Sequence, residues 1–392
     1  MEFEKETKNQ ENKSPNVLYL LPISSARLSS VNDILSGIER PERYLFYGLD
    51  YTQSRGVVTA DNITGYAGVK RRYIYINMIY RKIVSCIGGY AGDLDWLLPV
   101  WGQSKRAGLA FVFSGRIMFA LLFMRMVGFL PYLPTVFITV GLPEKLAMIH
   151  KKSVLYRYLA EYRKVDKIVC LSEIEADCLR NDYGLKQAYF VPAGVDSEYF
   201  HPIDCDVEVD VLSIGGDPFR DFTTLFRAAG RLQDVSFRVI TVQALADQFG
   251  NVPDNVEIIT EVPMVFIRDY IAKCRFLALP VIENFYSGAT TVLLQAMAMG
   301  KAVIGNSVGP NQSGYNFQSG DNCIFIKPQN VDELVDAIEK LHGDVSYMES
   351  IGRNARENVR DKLDINVFHE KIFSLMNEVY QQKWGCPLET RI

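Results

Sequence analysis

The stretch that decides the fold is Phe276–Val308, which reads FLALPVIENFYSGATTVLLQAMAMGKAVIGNSV. It begins with an apolar run typical of a buried strand and passes through a polar loop. An apolar segment of helical length follows and ends at Gly300, before a second strand-like run, KAVIGN. Strand, helix and strand in this order predict a parallel sheet covered by helices.

The same alternation extends along most of the 392 residues. One series runs from NVLYLLPI (16–23) to AYFVP (188–192), and a second begins with VDVLSIG at Val209. Within the first series, RYLFYGLDY (43–51) predicts a helix and Gly56-Val57-Val58 the second strand. The fold class that we predict is therefore α/β, with two Rossmann-like, doubly wound domains facing each other across a cleft. The predicted organisation is a disordered tail (1–15), a first domain (16–194), a hinge (195–206), a second domain (207–364), and a last helical segment (365–392) that crosses back to the first domain.

Composition excludes several classes of protein. A net charge of −4 argues against a protein that coats nucleic acid, because such proteins neutralise phosphates with a basic excess. The seven cysteines form no C-x-x-C pair and the four histidines are scattered, so neither a zinc site nor a disulfide framework is predicted. The first fourteen residues lack the apolar core of a signal peptide, and we expect a cytoplasmic protein with reduced thiols.

The start of the helix in the deciding stretch predicts an anion site. It opens with Ser287, Gly288, Ala289 and Thr290, whose small side chains let a ligand approach the backbone. Free N–H groups and the helix dipole favour a negative charge there, and hydroxyls add donors. This is a diphosphate site in outline. The alternative interpretation is an ordinary capped helix of an α/β fold.

Four segments in order resemble the donor domain of glycosyltransferase family 4, a GT-B family, in its bacterial type. AGVDSEYFHP is similar to its hinge, and IGGDPFRDFTTLFRA to its first strand exit and helix. The motif around the family's donor site is similar to LLQAMAMGKAVIGNSVG in this chain. The segment that follows this motif in the family is similar to DNCIFIKPQNVDELVDAI. Together these segments span roughly 165–338, almost half of the chain.

The resemblance implies a retaining, metal-independent hexosyltransferase. Its donor would be a nucleotide sugar, used as co-substrate without a further cofactor, and its acceptor a glycan, a lipid-linked molecule or a small molecule. In the family, two glutamates eight residues apart contact the donor sugar and the ribose. Ser287 and Gln295 stand at those positions here, so Gln295 becomes the candidate for the ribose hydroxyls, and Glu283 the candidate for the missing catalytic carboxylate.

The resemblance also assigns a cation to the donor diphosphate. Arg220 falls where the family places such a residue, directly after a turn at Gly216 that would also contact the diphosphate. A fixed guanidinium would stabilise the charge that develops on the departing nucleotide. The alternative is a surface arginine paired with Asp217 or Asp221.

The first domain is expected to bind the acceptor. The candidates are Ser24, Ser25 and Arg27, which follow the first strand. No metal site is predicted, because the D-x-D triplets at 93–95 and 204–206 are of a kind that occurs often by chance.

The segment Val69–Gly88 predicts contact with a membrane. Basic residues alternate there with tyrosines and isoleucines, which suits the headgroup level of an anionic surface. We therefore expect peripheral association with the inner face of the membrane, in keeping with a lipid-linked acceptor. The alternative is a helix packed on the sheet with a solvated basic edge.

Two further functions are compatible with the sequence. Replacement of both family glutamates is compatible with a catalytically impaired partner or binding subunit of the same fold. Another GT-B activity, such as a sugar-nucleotide epimerase, is the second alternative. Release of nucleoside diphosphate from a donor would separate an active transferase from a partner subunit.

Overall fold

A computed structural model describes residues 15–64, 66, 68–284 and 288–388 of the chain. The chain divides into two compact units. Unit 1 comprises the ranges Met1–Leu171, Glu175–Val191 and His369–Ile392, and unit 2 comprises Ser172–Ile174 and Pro192–Phe368.

Unit 1 is built on a parallel sheet of six strands in the order β2-β1-β3-β4-β5-β6. The strands are β1 (Val17–Leu20), β2 (Thr59–Asp61), β3 (Leu109–Phe113), β4 (Thr135–Thr139), β5 (Lys167–Cys170) and β6 (Ala188–Phe190). The helices before β5 are α1 (Ser25–Leu35), α2 (Leu49–Ser54), α3 (Arg71–Cys86), α4 (Leu94–Leu97), α5 (Trp101–Ser104), α6 (Gly115–Met126), α7 (Leu142–Ala147) and α8 (Lys152–Tyr162). Helix α9 (Glu173–Asn181) follows β5.

Unit 2 repeats the plan with the order β12-β11-β10-β7-β8-β9, again all parallel. Its strands are β7 (Val209–Ile214), β8 (Phe237–Thr241), β9 (Val256–Thr260), β10 (Cys274–Ala278), β11 (Val303–Asn306) and β12 (Ile324–Ile326). Its helices are α10 (Phe222–Arg231), α11 (Gln243–Ala246), α12 (Met264–Ala272), α13 (Thr290–Ala298), α14 (Val331–Gly343) and α15 (Val345–Lys362). The two parallel sheets confirm the predicted fold class.

The central strands of both sheets are buried on their two faces, which explains why they read as continuous apolar runs. All four residues of β1 and all five of β4 are buried, and aromatic side chains such as Phe111 and Phe137 fill the space beside the strands of unit 1. In unit 2, the apolar stripe of α10 packs against α14 over the sheet.

Two local predictions are wrong. The segment 43–51, predicted as one helix, forms a 3₁₀ turn (Pro41–Phe46) and the short α2, because Tyr47 and Gly48 both adopt positive φ angles and break the helix. The second strand is Thr59–Asp61, not the Gly56-Val57-Val58 segment before it.

Helix α15 was missed by the sequence prediction, because its buried stripe is narrow and consists partly of small residues. Ile351, Ala355 and Val359 face the core. Gly352 lies so close to the end of α13 that a Cβ built on it would be 2.1 Å from the Gly300 carbonyl oxygen. Small side chains at a close helix contact give little apolar signal in a sequence.

The last helix, α16 (Ile365–Trp384), belongs to unit 1 from His369 onward. Tyr19 Oη on β1 donates to Met376 Sδ at 3.8 Å, and Lys167 on β5 forms an ion pair with Glu378 at 2.8 Å. The buried face of this helix therefore lies against the sheet that the first strands of the chain form.

Candidate functional site

The candidate site lies at the carboxyl ends of β7 and β10, where the strand order of the second sheet reverses. In open α/β sheets, the loops that leave two such strands run in opposite directions and leave a crevice in which ligands bind. The loop after β7 carries Arg220, and the loop after β10 leads into α13. These are the two segments in which the sequence places the donor-binding residues.

Backbone hydrogen bonds hold the two loops together. The Asp221 N–H donates to the Pro280 carbonyl at 2.9 Å, and the Ile282 N–H donates to the Phe219 carbonyl at 2.9 Å. Between these bonds, Arg220 forms an isolated bridge with Val281. The backbone of Arg220 is thus fixed between two strand ends, so the position of its guanidinium depends on few remaining torsions.

The Arg220 side chain is buried with one polar atom left without a partner. Only 6% of the side chain is exposed, and Nε donates to Asp217 Oδ2 at 2.8 Å. Nη1 is buried and has no hydrogen-bond partner among the described residues. Burial lowers the pKa of the guanidinium from its ordinary value, while Asp217 acts in the opposite direction. An arginine stays protonated regardless, so a positive charge with an unused donor lies at this edge.

Gly215 makes room for this guanidinium. A Cβ built on Gly215 would lie 2.0 Å from Arg220 Nε and 2.5 Å from Cζ. The guanidinium therefore lies flat against the backbone at the end of β7, and any side chain at 215 would displace it. This accounts for the first glycine of the pair that precedes Arg220 in the sequence.

The first turn of α13 has no side-chain cap among the described residues. Its N-cap residue, Ala289, is buried with a φ of 57°. The first N–H groups of a helix have no partner within it, and Thr290 Oγ1 is buried without a hydrogen-bond partner. Ser287, the first residue of the predicted diphosphate site, lies outside the described residues.

Two asparagines that the sequence analysis did not identify connect the strand ends at this edge of the second sheet by hydrogen bonds. Asn306, at the end of β11, accepts from the Val281 N–H at 2.7 Å and donates to the Ile326 carbonyl at 3.0 Å. Asn311 donates to the carbonyls of Gly288 and Asn306 at 2.9 and 3.0 Å. A polar residue at the end of a buried strand, as in VIGN, is the signal that would have identified Asn306.

Gly288 contacts Asn311 too closely to be replaced by a larger residue. A Cβ built on Gly288 would lie 2.5 Å from Asn311 Oδ1, an atom that is buried and has no donor among the described residues. Gly288, which was predicted to bind the diphosphate, is therefore held by the side-chain amide of Asn311 in the segment after β11. Three buried polar atoms without partners thus follow three neighbouring strands: Arg220 Nη1, Thr290 Oγ1 and Asn311 Oδ1.

The other predicted donor residues differ in exposure. Gln295 is buried, with 4% of its surface exposed, in the second turn of α13. Glu283 is exposed in the loop after β10, and Gly216 is exposed beside Val242. The loop residues that would connect Glu283 to α13 lie outside the described part.

In unit 1, the predicted acceptor residues contact their own loop. Ser24 caps α1 by accepting from the Arg27 N–H at 3.3 Å, and Ser25 is exposed. Arg27 is buried and donates to the carbonyls of Leu45 and Pro22 at 3.0 and 3.1 Å. Burial lowers the pKa of the Arg27 guanidinium. This arginine therefore ties the loop after β1 to the 3₁₀ turn.

A buried acid, Glu175, and a half-buried base, Lys145, hold the turn after β4. Glu175 accepts from Thr139 Oγ1 at 3.2 Å and from the Leu142 N–H at 2.9 Å. Lys145 donates to the carbonyls of Val140 and Gly141 at 2.7 and 3.0 Å. Burial raises the pKa of Glu175 and lowers that of Lys145. Four side-chain hydrogen bonds therefore hold the turn at this strand end.

The described residues contain no group of three or more His, Cys, Asp or Glu side chains placed to hold a metal ion. Within the same ranges, no helix combines the length and the apolar character that crossing a membrane requires.

Residues 213–344 match the family model described as "Glycosyl transferases group 1". This segment begins in β7, ends just after α14, and contains both loops of the candidate site. No curated protein matches the sequence.

Solved structures similar to this chain are glycosyltransferases of the GT-B fold. Sucrose-phosphate synthase from Thermosynechococcus elongatus is similar with a TM-score of 0.63 at 15% identity, over 83% of this chain and 84% of that one. HepE from Anabaena, in complex with UDP and glucose, has a TM-score of 0.63 at 12% identity, over 91% and 98% of the two chains. A glycosyltransferase from Rickettsia africae has a TM-score of 0.61 at 11% identity, over 94% and 99%. At these identities the likeness establishes the fold, which is GT-B.

Proposed function

We propose that this chain, which has the GT-B fold and a group 1 glycosyltransferase match in its second unit, transfers a hexose from a nucleotide-sugar donor to an acceptor. The single observation that carries the proposal is the buried Arg220 Nη1, a charged donor without a partner at the sheet edge where ligands of such folds bind. Leaving a buried donor unsatisfied costs about 1–3 kcal/mol, and more when it is charged. A diphosphate oxygen would remove that penalty.

The chemistry of transfer explains why a cation belongs at this edge. The bond between the anomeric carbon and the diphosphate oxygen breaks, and the diphosphate leaves with the electron pair. A hydroxyl oxygen of the acceptor bonds to the same carbon and loses its proton to the departing diphosphate. Negative charge therefore grows next to Arg220 and to the free N–H groups at the start of α13. We propose that Arg220 and these N–H groups supply the stabilisation, and that the reaction therefore needs no metal ion.

We propose that the ribose and the sugar of the donor contact α13 and the loop before it. Gln295 is the proposed partner of the ribose hydroxyls, and Glu283 the proposed carboxylate near the sugar. Retention of anomeric configuration is proposed on the resemblance to the retaining family. Because HepE is described in complex with UDP and with UDP-glucose, uridine diphosphate sugars are the first donors to test.

The acceptor is proposed to approach from unit 1. The loop after β1, with Ser24 and Ser25, and the turn after β4 both lie at carboxyl strand ends of its sheet. A glycan or a lipid-linked acceptor suits these loops best, because they offer hydroxyl groups and backbone N–H groups for hydrogen bonds to sugar hydroxyls.

The test is release of nucleoside diphosphate from a panel of nucleotide sugars by the wild type, two variants of Arg220 and one control variant. Arg220→Ala is expected to lower turnover by about 10²–10³-fold, and Arg220→Lys to restore only part of it. Arg231→Ala, a matched control at an exposed arginine of the same unit, should change nothing. Near-normal turnover of Arg220→Ala would refute the role of this residue.

A thermal-shift screen distinguishes a catalyst from a partner subunit of the same fold. A donor at about 100 times its dissociation constant stabilises a protein by about 2.7 kcal/mol. Stabilisation together with release of diphosphate supports the transferase. Stabilisation without release, for every acceptor class tried, would identify a binding subunit.

A further inference from the structure

One surface of unit 1 combines exposed apolar side chains with basic charge. Its main part is α3, which contacts the rest of unit 1 through a single narrow stripe. Tyr80 accepts from the Gly92 N–H at 3.0 Å and packs on Phe123, and Asn77 accepts from the Leu94 N–H at 3.1 Å. Of the sixteen residues of α3, only Asn77, Tyr80 and Val84 are buried.

The outward side of α3 is apolar where a soluble helix is normally polar. Tyr75, Ile79 and Ile83 follow each other at a spacing of four residues and are 59%, 61% and 50% exposed. Met78 beside them is 61% exposed, and Ile87 extends the stripe past the helix end at 43%. Such a continuous stripe of large apolar side chains marks an interaction surface, since solvent exposure of each of them is unfavourable.

The N-terminal half of α8 continues this surface. A Cβ built on Gly88 would lie 3.0 Å from Lys151 Cγ, and Tyr158 Oη donates to the Tyr90 carbonyl at 3.5 Å. The segment that leaves α3 therefore lies against α8. Tyr156 on α8 is 68% exposed and Met148 just before it is 59% exposed. We call residues 70–87, which include α3, and residues 148–157 together the basic apolar face.

The charge of this face has one sign. Residues 62–92 and 145–160 contain no carboxylate, although the whole chain carries a net charge of −4. Eight exposed cations lie in the two segments, and none of them forms an ion pair among the described residues: Lys70, Arg71, Arg72, Arg81, Lys82, Lys151, Lys152 and Arg157. Elsewhere in the described chain, cations such as Arg238 are paired with acids, in this case with Glu208 and Glu257.

We propose that the basic apolar face docks unit 1 on an anionic lipid surface. The apolar stripe of α3 enters the boundary between headgroups and acyl chains, while long basic side chains reach the phosphates beside it. Tyrosine suits that depth because its ring is apolar and its hydroxyl is polar. The inference goes beyond sugar transfer and does not depend on it, because binding to lipid is measured without donor or acceptor.

The charge of the basic apolar face favours an anionic lipid surface over a second copy of the chain. A symmetric contact through the same face would bring eight unpaired cations of one copy against eight of the other, and like charges at close range are unfavourable. An anionic bilayer instead offers a dense layer of phosphates. Each lysine or arginine near such a surface contributes about 1 kcal/mol, or roughly a fivefold change in affinity.

The experiment is co-sedimentation of the full chain with vesicles. Wild type is expected to bind vesicles of phosphatidylcholine with about one third phosphatidylglycerol, and to bind pure phosphatidylcholine at least tenfold more weakly. Binding should also weaken when salt is raised from about 0.1 to about 1 M, because the Debye length falls from about 10 to about 3 Å.

Matched variants locate the contact. Arg81→Glu with Lys82→Glu should reduce binding by more than about 25-fold, since two favourable charges become unfavourable. Ile79→Ser with Ile83→Ser should reduce it on both vesicle types. The controls make the same changes on unit 2: Lys327→Glu with Arg353→Glu, and Val265→Ser with Phe266→Ser, all at exposed positions. Circular dichroism checks that every variant melts as the wild type does.

Three outcomes would overturn the proposal. Equal binding to neutral and anionic vesicles would remove the role of the cations. Unit 2 controls as impaired as the α3 variants would place the contact elsewhere. Absence of vesicle binding, together with a concentration-dependent dimer that Ile79→Ser with Ile83→Ser abolishes, would assign the face to a second copy of the chain.

Discussion

Replacing Gly215 with alanine should disable the candidate site without any change to a residue that touches the ligand. The new Cβ would lie 2.0 Å from Arg220 Nε, and ordinary van der Waals contact begins near 3.4 Å. The guanidinium must therefore move by more than about 1 Å. Its backbone is fixed by the bridge to Val281, so the whole displacement falls on the side chain.

The expected loss follows from the geometry. A misplacement of about 1 Å in a catalytic arrangement can lower the rate by about 10²-fold, and we expect a loss of that size in turnover with Gly215→Ala. Stability should change little, because Gly215 does not have a positive φ angle and its backbone is therefore compatible with alanine. Turnover is measured by release of nucleoside diphosphate, and stability by chemical denaturation.

A double-mutant cycle with Arg220→Ala decides the cause. If Gly215 acts only through Arg220, Gly215→Ala should change turnover by less than about twofold once the arginine is absent. Gly230→Ala is the control, since it adds the same methyl to an exposed helix position of unit 2 whose nearest neighbour would be 3.8 Å away. Full activity of Gly215→Ala, or equal losses with and without Arg220, would refute the reasoning.

Two further predictions concern unit 1. Met376→Ala, at a fully buried position of α16, should lower the free energy of unfolding by about 2–5 kcal/mol in urea denaturation; an effect below about 1 kcal/mol would mean that this helix is dispensable. Glu175→Gln should alter the pH dependence of stability. Burial raises the folded-state pKa of Glu175, so the wild type loses stability as pH rises above the ordinary value of 4.5, and the variant lacks this loss. Parallel stability curves for the two proteins would contradict the assignment.

The sequence predicted most of the fold because buried parallel strands are easy to recognise. Runs such as TVFITV and FRVIT are apolar throughout and bounded by polar or turn residues, and both are strands. Helix α15 was missed for the converse reason, since it packs through Gly352 and Ala355, whose small size leaves no apolar stripe. The break at Tyr47 depends on a left-handed backbone at a residue other than glycine, which composition does not reveal.

The site was predictable as a location more than as a set of contacts. Arg220 and the start of α13 could be placed from their position after apolar strands. That Asn306 and Asn311 join three strand exits could not, because their partners are backbone groups far away in the sequence. Arg27 is the opposite case. It was predicted to contact the acceptor because it follows the first strand, but its guanidinium donates to two backbone carbonyls.

The contrast between Arg27 and Arg220 shows how function separates from stability in this chain. Both guanidiniums are buried, and burial lowers the pKa of both. Arg27 uses its donors on the carbonyls of Pro22 and of Leu45 in the 3₁₀ turn, as expected of a residue retained for folding. Arg220 keeps Nη1 unsatisfied while Gly215 gives up a side chain to admit it. A buried cation with an unsatisfied donor destabilises the free protein, so the arrangement is favourable only if a ligand completes it, and the missing partner of a buried cation is an anion.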